Sequence, residues 1–378
     1  MTITYGKQTI DEEDLKTVMD ALKDDFLTMG PKVREFEEKF AKYVNAKYAV
    51  AVSSGTAALH LSCLVADLKK GDELITSPMT FAASANCALY CEARPIFVDI
   101  KENGLIDEKL IEEKITSQTK IIIPVHYTGL PCNLKKIKEI ADKHNIIVIE
   151  DACHALGAEY EDTKIGDCAY SDMAVFSFHP VKHITTGEGG MITTNSSKLY
   201  ERLILLRSHG ITKNKNDLIN KNEGPWYHEM QELGYNYRIT DIQCALGISQ
   251  LEKIEKFVEK RRKIAKRYDE FFRNIDGIES TEQPKYAKNA YHLYVIKVKN
   301  EEIRLKLFNY LEENDIFCQV HYIPVHWHPY YQKMGYKKED CSVAGNFYEK
   351  IISLPIYPGL KKKEQEKVIE VIINFYER

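Results

Sequence analysis

A single lysine lies within a glycine-rich stretch at residues 177–190, which reads SFHPVKHITTGEGG. Apolar runs at residues 173–178 and 190–194 flank it, so Lys182 is predicted to lie in a short connection between two strands. Apolar surroundings lower the pKa of an ammonium group from about 10.4, and glycines let backbone approach a ligand closely. The stretch therefore predicts a nucleophilic lysine rather than a solvated surface charge. The commonest biological use of such a lysine is a Schiff base with pyridoxal phosphate (PLP).

The phosphate group of PLP needs hydrogen-bond donors, and Ser54, Gly55 and Thr56 are candidates for this role. They follow a predicted strand at residues 48–52 and open a predicted helix that reaches residue 67. A helix start offers free N–H groups and the positive end of the helix dipole, which together suit a dianion. Ser177, five positions before Lys182, could add a hydroxyl group. The alternatives are a simple helix cap at Ser54 and a serine that only ends a strand at Ser177.

The pyridine ring of PLP needs an acid group at its nitrogen and a flat neighbour for its face. Asp151 follows a strand-like run at residues 146–150 and could keep the ring nitrogen protonated. His154 could bind the ring oxygen, and Phe81 could cover the ring face. Each residue also has an ordinary structural interpretation: Asp151 as a helix cap, His154 as a buried histidine with satisfied hydrogen bonds, and Phe81 as a core residue.

The order of strand-like and helical segments predicts the fold. A chain of 378 residues, 44% hydrophobic and 29% charged, can bury a sizeable core, and we expect two domains. Strand-like runs alternate with helical segments at residues 48–52, 73–76, 95–98, 121–125 and 146–149. This alternation predicts an α/β fold with a mostly parallel sheet covered on both faces. Strand candidates are sparser after Asp241, at residues 291–298 and 317–322. We expect a large PLP-binding domain over residues 1–245 and a smaller C-terminal α/β domain over residues 246–378.

Composition argues against several classes of protein. The net charge of −4 and the lack of a long basic block argue against a nucleic-acid partner. No run approaches 18 apolar residues and no apolar signal segment is evident, which indicates a cytoplasmic protein without a membrane span. The nine cysteines are scattered and are expected to be reduced core thiols. His321, His326 and His328 match no metal-ligand spacing, so we expect a polar, aromatic sugar-binding loop there and no metal.

Five motifs follow one another in order along nearly the whole chain. They are Ser54-Gly55-Thr56, residues 78–81 (PMTF), residues 150–157 (EDACHALG), residues 177–190 and residues 234–238 (GYNYR). As an ordered set they resemble the nucleotide-sugar aminotransferases of the DegT/DnrJ/StrS type. The resemblance implies a fold-type I, PLP-dependent transferase that is a homodimer with active sites at the subunit interface. It further implies that Lys182 binds PLP covalently, Asp151 pairs with the ring nitrogen, Ser177 and the Ser54 turn bind the phosphate, and Asn236 is a cofactor-binding residue that the neighbouring subunit supplies.

A narrower resemblance, to the members of this family that act in pseudaminic acid biosynthesis, implies the substrates. It is carried by residues 153–157 (CHALG), 207–210 (RSHG) and 319–322 (QVHY). The implied reaction moves the amino group of L-glutamate to C4 of a UDP-linked 4-keto-6-deoxy-N-acetylhexosamine. By the same resemblance, the residues that bind the nucleotide sugar are Tyr5, Phe26, Leu27, Thr28, Met29, Gln319, Val320, His321 and Tyr322.

Three alternative functions are compatible with parts of the sequence. The acceptor could be another nucleotide-linked 4-keto sugar, of the legionaminic, bacillosamine or perosamine type. A sugar 3-dehydratase is disfavoured because related dehydratases have histidine in place of the lysine, whereas this chain has Lys182 with His183 beside it. A catalytically silent sensor of PLP or nucleotide sugars is disfavoured because Lys182, Asp151 and the glycines occur together.

Overall fold

The computed structural model describes residues 2–377. Its α-helices are α1 (Glu12–Ala21), α2 (Pro31–Val44), α3 (Gly55–Val65), α4 (Ala83–Tyr90), α5 (Glu108–Ile111), α6 (Leu134–His144), α7 (Ser197–Arg207), α8 (Asp241–Glu252), α9 (Ile254–Phe272), α10 (Glu301–Glu313), α11 (Pro329–Lys333), α12 (Ser342–Lys350) and α13 (Lys362–Tyr376). Its β-strands are β1 (Ile3–Thr4), β2 (Tyr48–Val52), β3 (Glu73–Thr76), β4 (Arg94–Phe97), β5 (Thr119–Ile123), β6 (Ile147–Asp151), β7 (Glu159–Tyr160), β8 (Thr163–Lys164), β9 (Met173–Ser177), β10 (Gly190–Thr194), β11 (Ile211–Thr212), β12 (Glu229–Met230), β13 (Ile278–Ser280), β14 (Ala287–Lys288), β15 (Tyr294–Val298), β16 (Ile316–Phe317) and β17 (Ile351–Leu354).

Seven strands form the central sheet, in the order β2-β10-β9-β6-β5-β3-β4. The β3–β4, β3–β5, β5–β6 and β6–β9 pairs are parallel, whereas β10 runs antiparallel to both of its neighbours. Most residues of these strands are buried, as expected for apolar runs in a parallel sheet whose two faces are covered. The prediction of an α/β fold with a mostly parallel central sheet is confirmed.

The two faces of the sheet pack in separate cores because successive side chains of a strand point to opposite faces. In β5, Ile121 and Ile123 pack in the core that includes residues of α3, α4 and α7, whereas Ile122 packs in the core that includes residues of α6. The helix α2 covers the sheet near β9, where the ring centroids of Phe40 and Phe176 are 5.0 Å apart. This packing holds the strand ends, and the segments that follow them, in fixed positions.

A smaller antiparallel sheet, β13-β15-β17, lies in the C-terminal part of the chain and packs with α9, α10 and α13. The N-terminal strand β1 pairs in parallel with β16, so the start of the chain is joined to this C-terminal part. Of the strand predicted at residues 317–322, only Phe317 lies in a strand. The predicted boundary between residues 245 and 246 falls inside α8, and the division of the chain into two domains there stays a prediction.

The longest helix, α9 at 19 residues, is rich in lysine, arginine and glutamate. Within residues 2–377, no helix combines the length and the apolar composition that a membrane span requires.

Candidate active site

One edge of the central sheet carries most of the predicted site residues. The strands β2, β3, β5, β6 and β9 all end at this edge, which is where ligands of open α/β sheets bind. A cavity of about 470 Å³ lies there, within the usual size range of small-molecule sites. The predicted residues that line this cavity are Tyr5, Ser54, Gly55, Thr56, Phe81, Asp151, His154, Ser177, Lys182, His321 and Tyr322.

The turn between β2 and α3 forms one corner of the cavity. The Ser54 hydroxyl oxygen caps α3 by accepting a hydrogen bond from the Ala57 N–H at 3.1 Å, so the helix-cap interpretation of Ser54 is confirmed, while its phosphate contact stays a prediction. Gly55 and Thr56 line the cavity in the first turn of the helix, where N–H groups have no acceptor within the helix. Together with the positive end of the α3 dipole, these donors suit a phosphate dianion.

Glycines allow two segments of the protein to meet at this corner. An ideal Cβ atom at Gly190 would lie 2.5 Å from the Ser54 carbonyl oxygen, and one at Gly55 would lie 2.9 Å from the Ser177 Cβ. Any larger residue at Gly190 would therefore push β10 away from the Ser54 turn. The sequence predicts that Gly187, Gly189 and Gly190 let backbone approach a ligand; at Gly190 the close approach is instead between two backbone segments.

Asp151 is the last residue of β6 and is buried in the wall of the cavity. Its Oδ2 accepts a hydrogen bond from the Ser84 hydroxyl at 2.6 Å, and its Oδ1 accepts one from the Cys153 N–H at 3.1 Å. No helix begins at residues 152–157, so the interpretation of Asp151 as a helix cap is wrong. The Asp151 carboxylate thus lies at the edge of the sheet, where hydrogen bonds from Ser84 and Cys153 hold it in place.

Lys182 lies in the connection between β9 and β10 and is half-buried. Burial lowers the pKa of its ammonium group, and the nearby Cys153 and Asp151 oppose this effect. A lowered pKa raises the fraction of neutral amine at a given pH, and the neutral amine is the nucleophile. The desolvated lysine expected from the sequence is present in the fold.

His154, Tyr322 and His292 form a continuous part of the cavity wall. The Tyr322 hydroxyl and the His154 Nε2 are 3.0 Å apart, and the ring centroids of His154 and His292 are 4.3 Å apart. Burial lowers the pKa of both histidines well below the usual range, and the charge of Lys182 adds to the effect. The His154 Nδ1 is buried and has no hydrogen-bond partner within residues 2–377. A ligand in the cavity can supply that partner, because buried polar atoms in proteins are nearly always paired.

The remaining predicted contacts in the cavity are aromatic. Phe81 is 63% exposed, so its interpretation as a core residue is wrong, and its ring centroid lies 6.4 Å from that of Tyr322. The rings of Tyr5 and His321 have centroids 5.1 Å apart, and the His321 Nδ1 is 2.9 Å from the Ser353 hydroxyl oxygen. Burial lowers the pKa of His321 to about 4. The loop after β16 therefore gives the cavity two side chains, His321 and Tyr322.

Some predicted residues do not line the cavity of the single chain. Asn236 is exposed and pairs with Ser208 through a β-bridge. The Leu27 carbonyl accepts a hydrogen bond from the Asp241 N–H at 3.0 Å, which places the exposed segment around Leu27 beside the start of α8. Gln319 pairs with Ser353. The full set outside the cavity is Phe26, Leu27, Thr28, Met29, Asn236, Gln319 and Val320.

Ten further residues line the cavity without having been predicted as site residues: Leu59, Thr80, Ala83, Ser84, Val125, Cys153, His179, Val181, Glu188 and His292. Cys153 is half-buried, unlike the other eight cysteines, which are buried as expected. His292 reaches the cavity from a distant part of the chain, and no sequence pattern announces it. For Ser84 one signal exists, its position four residues after Thr80, because side chains at that spacing meet on a helical turn.

The cavity residues fit PLP by their chemistry. Donors suited to a phosphate lie at the start of α3, a carboxylate that can pair with a ring nitrogen lies at Asp151, and a lysine with a lowered pKa lies at Lys182. The unpartnered His154 Nδ1 gives a further polar contact beside them. A buried polar group left unpaired costs about 1–3 kcal/mol, which favours a bound group that pairs with it.

Residues 8–373 match the model of the DegT/DnrJ/EryC1/StrS aminotransferase family. The chain is 39% identical over 381 residues to a UDP-4-amino-4,6-dideoxy-N-acetyl-beta-L-altrosamine transaminase of Campylobacter jejuni, with 100% of this chain and 98% of the relative covered. Helicobacter pylori PseC, an aminotransferase involved in the biosynthesis of pseudoaminic acid, has a solved structure with a TM-score of 0.93 and 32% identity, covering 100% of both chains. The PLP form of Spr1654 from Streptococcus pneumoniae, described as a sugar aminotransferase, has a solved structure with a TM-score of 0.92 and 29% identity. The match covers 100% of this chain and 99% of that chain.

The fold and the site define a PLP-dependent aminotransferase of fold type I. The chain belongs to the DegT/DnrJ/EryC1/StrS aminotransferase family. The family resemblance of the ordered motifs is confirmed, as are the enzyme class, a nucleotide-sugar aminotransferase, and the cofactor, pyridoxal phosphate. The roles of individual residues stay predictions.

Proposed function

We propose that this enzyme transfers the amino group of L-glutamate to C4 of a UDP-linked 4-keto-6-deoxy-N-acetylhexosamine, as a step of pseudaminic acid biosynthesis. The observation that carries the proposal is the similarity, along the whole chain, to a transaminase named for a UDP-linked 4-amino-4,6-dideoxy sugar. The cavity supports the reaction class because a lysine, a carboxylate and a phosphate-binding helix start surround it.

Each cavity residue has a task in the proposed reaction. When bound, PLP supplies an electron-withdrawing ring that stabilises negative charge on the carbon next to the amine. Lys182 anchors the cofactor, and its Nζ then takes up the proton from the α-carbon of glutamate and, in the second half of the reaction, delivers a proton to C4 of the sugar. Asp151 holds the ring nitrogen, while the Ser54-Gly55-Thr56 turn and Ser177 hold the phosphate.

His154 and Phe81 complete the proposed cofactor contacts. The free Nδ1 of His154 binds the ring oxygen, because the opposite nitrogen of the imidazole is already engaged by the Tyr322 hydroxyl. Phe81 presents an exposed aromatic face at the cavity and covers the ring.

The sugar has to be held by contacts remote from its reacting carbon, so that binding energy from the nucleotide positions the carbonyl. Tyr5, His321 and Tyr322 are the proposed contacts inside the cavity. The other proposed contacts, outside it, are Phe26, Leu27, Thr28, Met29, Gln319 and Val320.

We propose that the enzyme is a homodimer and that Asn236 acts in the active site of the neighbouring subunit. Asn236 is exposed, and Thr28 pairs with Thr240 close by, so the segment at residues 26–29 shares this surface. Exposed apolar side chains nearby in sequence, among them Trp226 and Leu233, form surface that a second copy would cover.

The substrate proposal is tested with purified enzyme, L-glutamate and the UDP-linked 4-keto sugar of L-arabino configuration. NMR of the product should place the new nitrogen at C4, and the Lys182→Ala enzyme should give no product. Efficient turnover of a D-xylo or a TDP-linked 4-keto sugar, with none of the L-arabino substrate, would keep the aminotransferase and reject the pseudaminic acid assignment. That result would favour a legionaminic, bacillosamine or perosamine type of acceptor.

A further inference from the structure

A pair of buried hydroxyl groups, those of Thr80 and Ser84, lies next to the Asp151 carboxylate in the cavity wall and has no task in the reaction described above. The Ser84 Oγ is 2.6 Å from the Asp151 Oδ2 and 2.7 Å from the Thr80 Oγ1. Ser84 is 1% exposed and Thr80 is 3% exposed. Both hydroxyls are thus shielded from bulk water, and their hydrogen bonds to one another and to Asp151 determine their orientation.

The direction of this hydrogen-bonded chain follows from counting protons. The Ser84 hydroxyl has one proton and three acceptors in reach: the Asp151 Oδ2 at 2.6 Å, the Thr80 Oγ1 at 2.7 Å and the Phe81 carbonyl oxygen at 3.3 Å. A short hydrogen bond to a charged carboxylate is stronger than one to a neutral hydroxyl or a long one to a peptide carbonyl. Ser84 therefore donates to Asp151, and Thr80 donates to the Ser84 oxygen.

The two oxygens of Asp151 are held from two separate segments of the chain. The Oδ1 accepts from the Cys153 N–H, in the segment after β6, whereas the Oδ2 accepts from Ser84, in the first turn of α4. The terminal torsion of an aspartate side chain is soft, so a carboxylate held at one oxygen alone can rotate. Donors at both oxygens fix the plane of the carboxylate.

We propose that Ser84, supported by Thr80, is a positioning residue that fixes the Asp151 carboxylate against the ring nitrogen of PLP. The proposal rests on the proposed role of Asp151. It predicts that removal of the Ser84 hydroxyl alters the electronic state of the bound cofactor and slows proton transfer, beyond any loss of protein stability.

The chain offers a matched control for the loss of stability. Ser249, on α8, donates to the Asp14 Oδ1 on α1, also at 2.6 Å, and both residues are buried. Neither residue lines the cavity. Ser249→Ala therefore removes an equivalent buried serine–aspartate hydrogen bond at a place where the cofactor is not affected.

The experiment compares PLP-loaded wild type, Ser84→Ala, Ser84→Thr and Ser249→Ala. The midpoint of the pH titration of the cofactor's visible absorption band, and kcat and KM for glutamate, are measured for each. Ser84→Ala should move the midpoint and lower kcat by about 10- to 100-fold with little change in KM, because a hydrogen bond to a charged group contributes about 1.5–3 kcal/mol. Ser84→Thr, which keeps the hydroxyl, should restore most of both values. Ser249→Ala should lower the melting temperature and leave the midpoint and kcat as in wild type.

An unchanged midpoint and kcat in Ser84→Ala, while Asp151→Asn loses activity, would overturn the role of Ser84 and leave the proposed site intact. Normal values in Asp151→Asn itself would reject the role of Asp151, and the inference with it. If Ser84→Ala does not fold, Thr80→Ala takes its place, since it removes the donor behind Ser84. In Thr80→Ala, a shift of the midpoint smaller than the one expected for Ser84→Ala supports the proposal, and an unchanged midpoint overturns it.

Discussion

The residues proposed to bind the cofactor (the cofactor side) and those proposed to bind the nucleotide sugar (the substrate side) differ in how many of them line the cavity of a single chain. Every residue proposed to bind PLP, apart from Asn236, lines the cavity at the sheet edge. Of the nine residues proposed to bind the nucleotide sugar, only Tyr5, His321 and Tyr322 line it. The proposed cofactor site is therefore largely complete within one chain, and the proposed substrate site is not.

This difference arises because the two groups of residues lie in different kinds of secondary structure. The residues proposed to bind the cofactor lie at or just after strand ends whose register is fixed by the sheet, as in the pairing of Asp151 on β6 with Val175 on β9. The substrate residues lie in irregular segments such as residues 26–29, whose exposed side chains are joined to the fold by few hydrogen bonds. The contrast places the proposed chemistry at the edge of the sheet and the proposed specificity in loops and in the second subunit of the proposed homodimer.

The largest effect is expected at Lys182, the residue on which the cofactor side depends most. Lys182→Ala should lower kcat by more than about ten-thousandfold, since it removes both the anchor of the cofactor and the group that moves protons. Borohydride reduction followed by mass spectrometry should place the cofactor on the Lys182 peptide in wild type and nowhere in the variant. Full turnover by Lys182→Ala would contradict the central assignment.

A smaller but still large effect is expected at Asp151. Asp151→Asn should keep PLP bound yet slow the reaction about a thousandfold, because an amide loses about 4 kcal/mol of charge stabilisation in the transition state. Cofactor content is read from absorption, and rates from a glutamate half-reaction. Near-normal rates at full cofactor occupancy would reduce Asp151 to a structural residue.

The proposed contribution of a second subunit is tested by mixing two inactive enzymes. Lys182→Ala and Asn236→Ala subunits, inactive by themselves, should regain partial activity after subunit exchange, since a hybrid dimer has one site in which both residues are intact. Exchange is verified by mass spectrometry of differently tagged subunits. If exchange is complete and no activity returns, Asn236 does not act across the interface.

The smallest effect is a pH dependence of stability that arises at the cavity. Burial, and then the charge of Lys182, lower the pKa of His321 from 6.5 to about 4. Between these two values the unfolded chain binds more protons than the folded one, so the free energy of unfolding should fall as the pH drops from 6.5 to 4. The buried His154 and His292 act in the same direction.

Denaturant titrations of wild type and His321→Asn at pH 7 and pH 5 measure this dependence. The variant should lose less free energy of unfolding than wild type between pH 7 and pH 5. Above pH 7 the two proteins should show the same dependence of this free energy on pH. An equal loss in both proteins would show that His321 does not contribute.

The sequence by itself determined the features of the fold and of the site that depend on the order of neighbouring residues along the chain. The alternation of apolar runs and helical segments gave the mostly parallel sheet, because buried strands need continuous apolar residues and crossover helices between them. The common position of Lys182, Asp151 and the Ser54 turn was predictable because each lies at or after the end of a strand, and parallel strands bring their carboxyl ends to one edge. The helix cap at Asp151 was wrong because no helix follows β6.

Only the tertiary structure decided which distant residues join that edge. His292 and Ser84 reach the cavity through packing between remote elements, and no short-range pattern encodes the contact of His292. The tertiary structure also left Phe26 and Asn236 outside the cavity, on the surface of the chain. Short-range features such as strands and turns depend on neighbouring residues in the sequence. Contacts between distant side chains depend instead on how whole helices and strands pack, and this packing is a property of the complete fold.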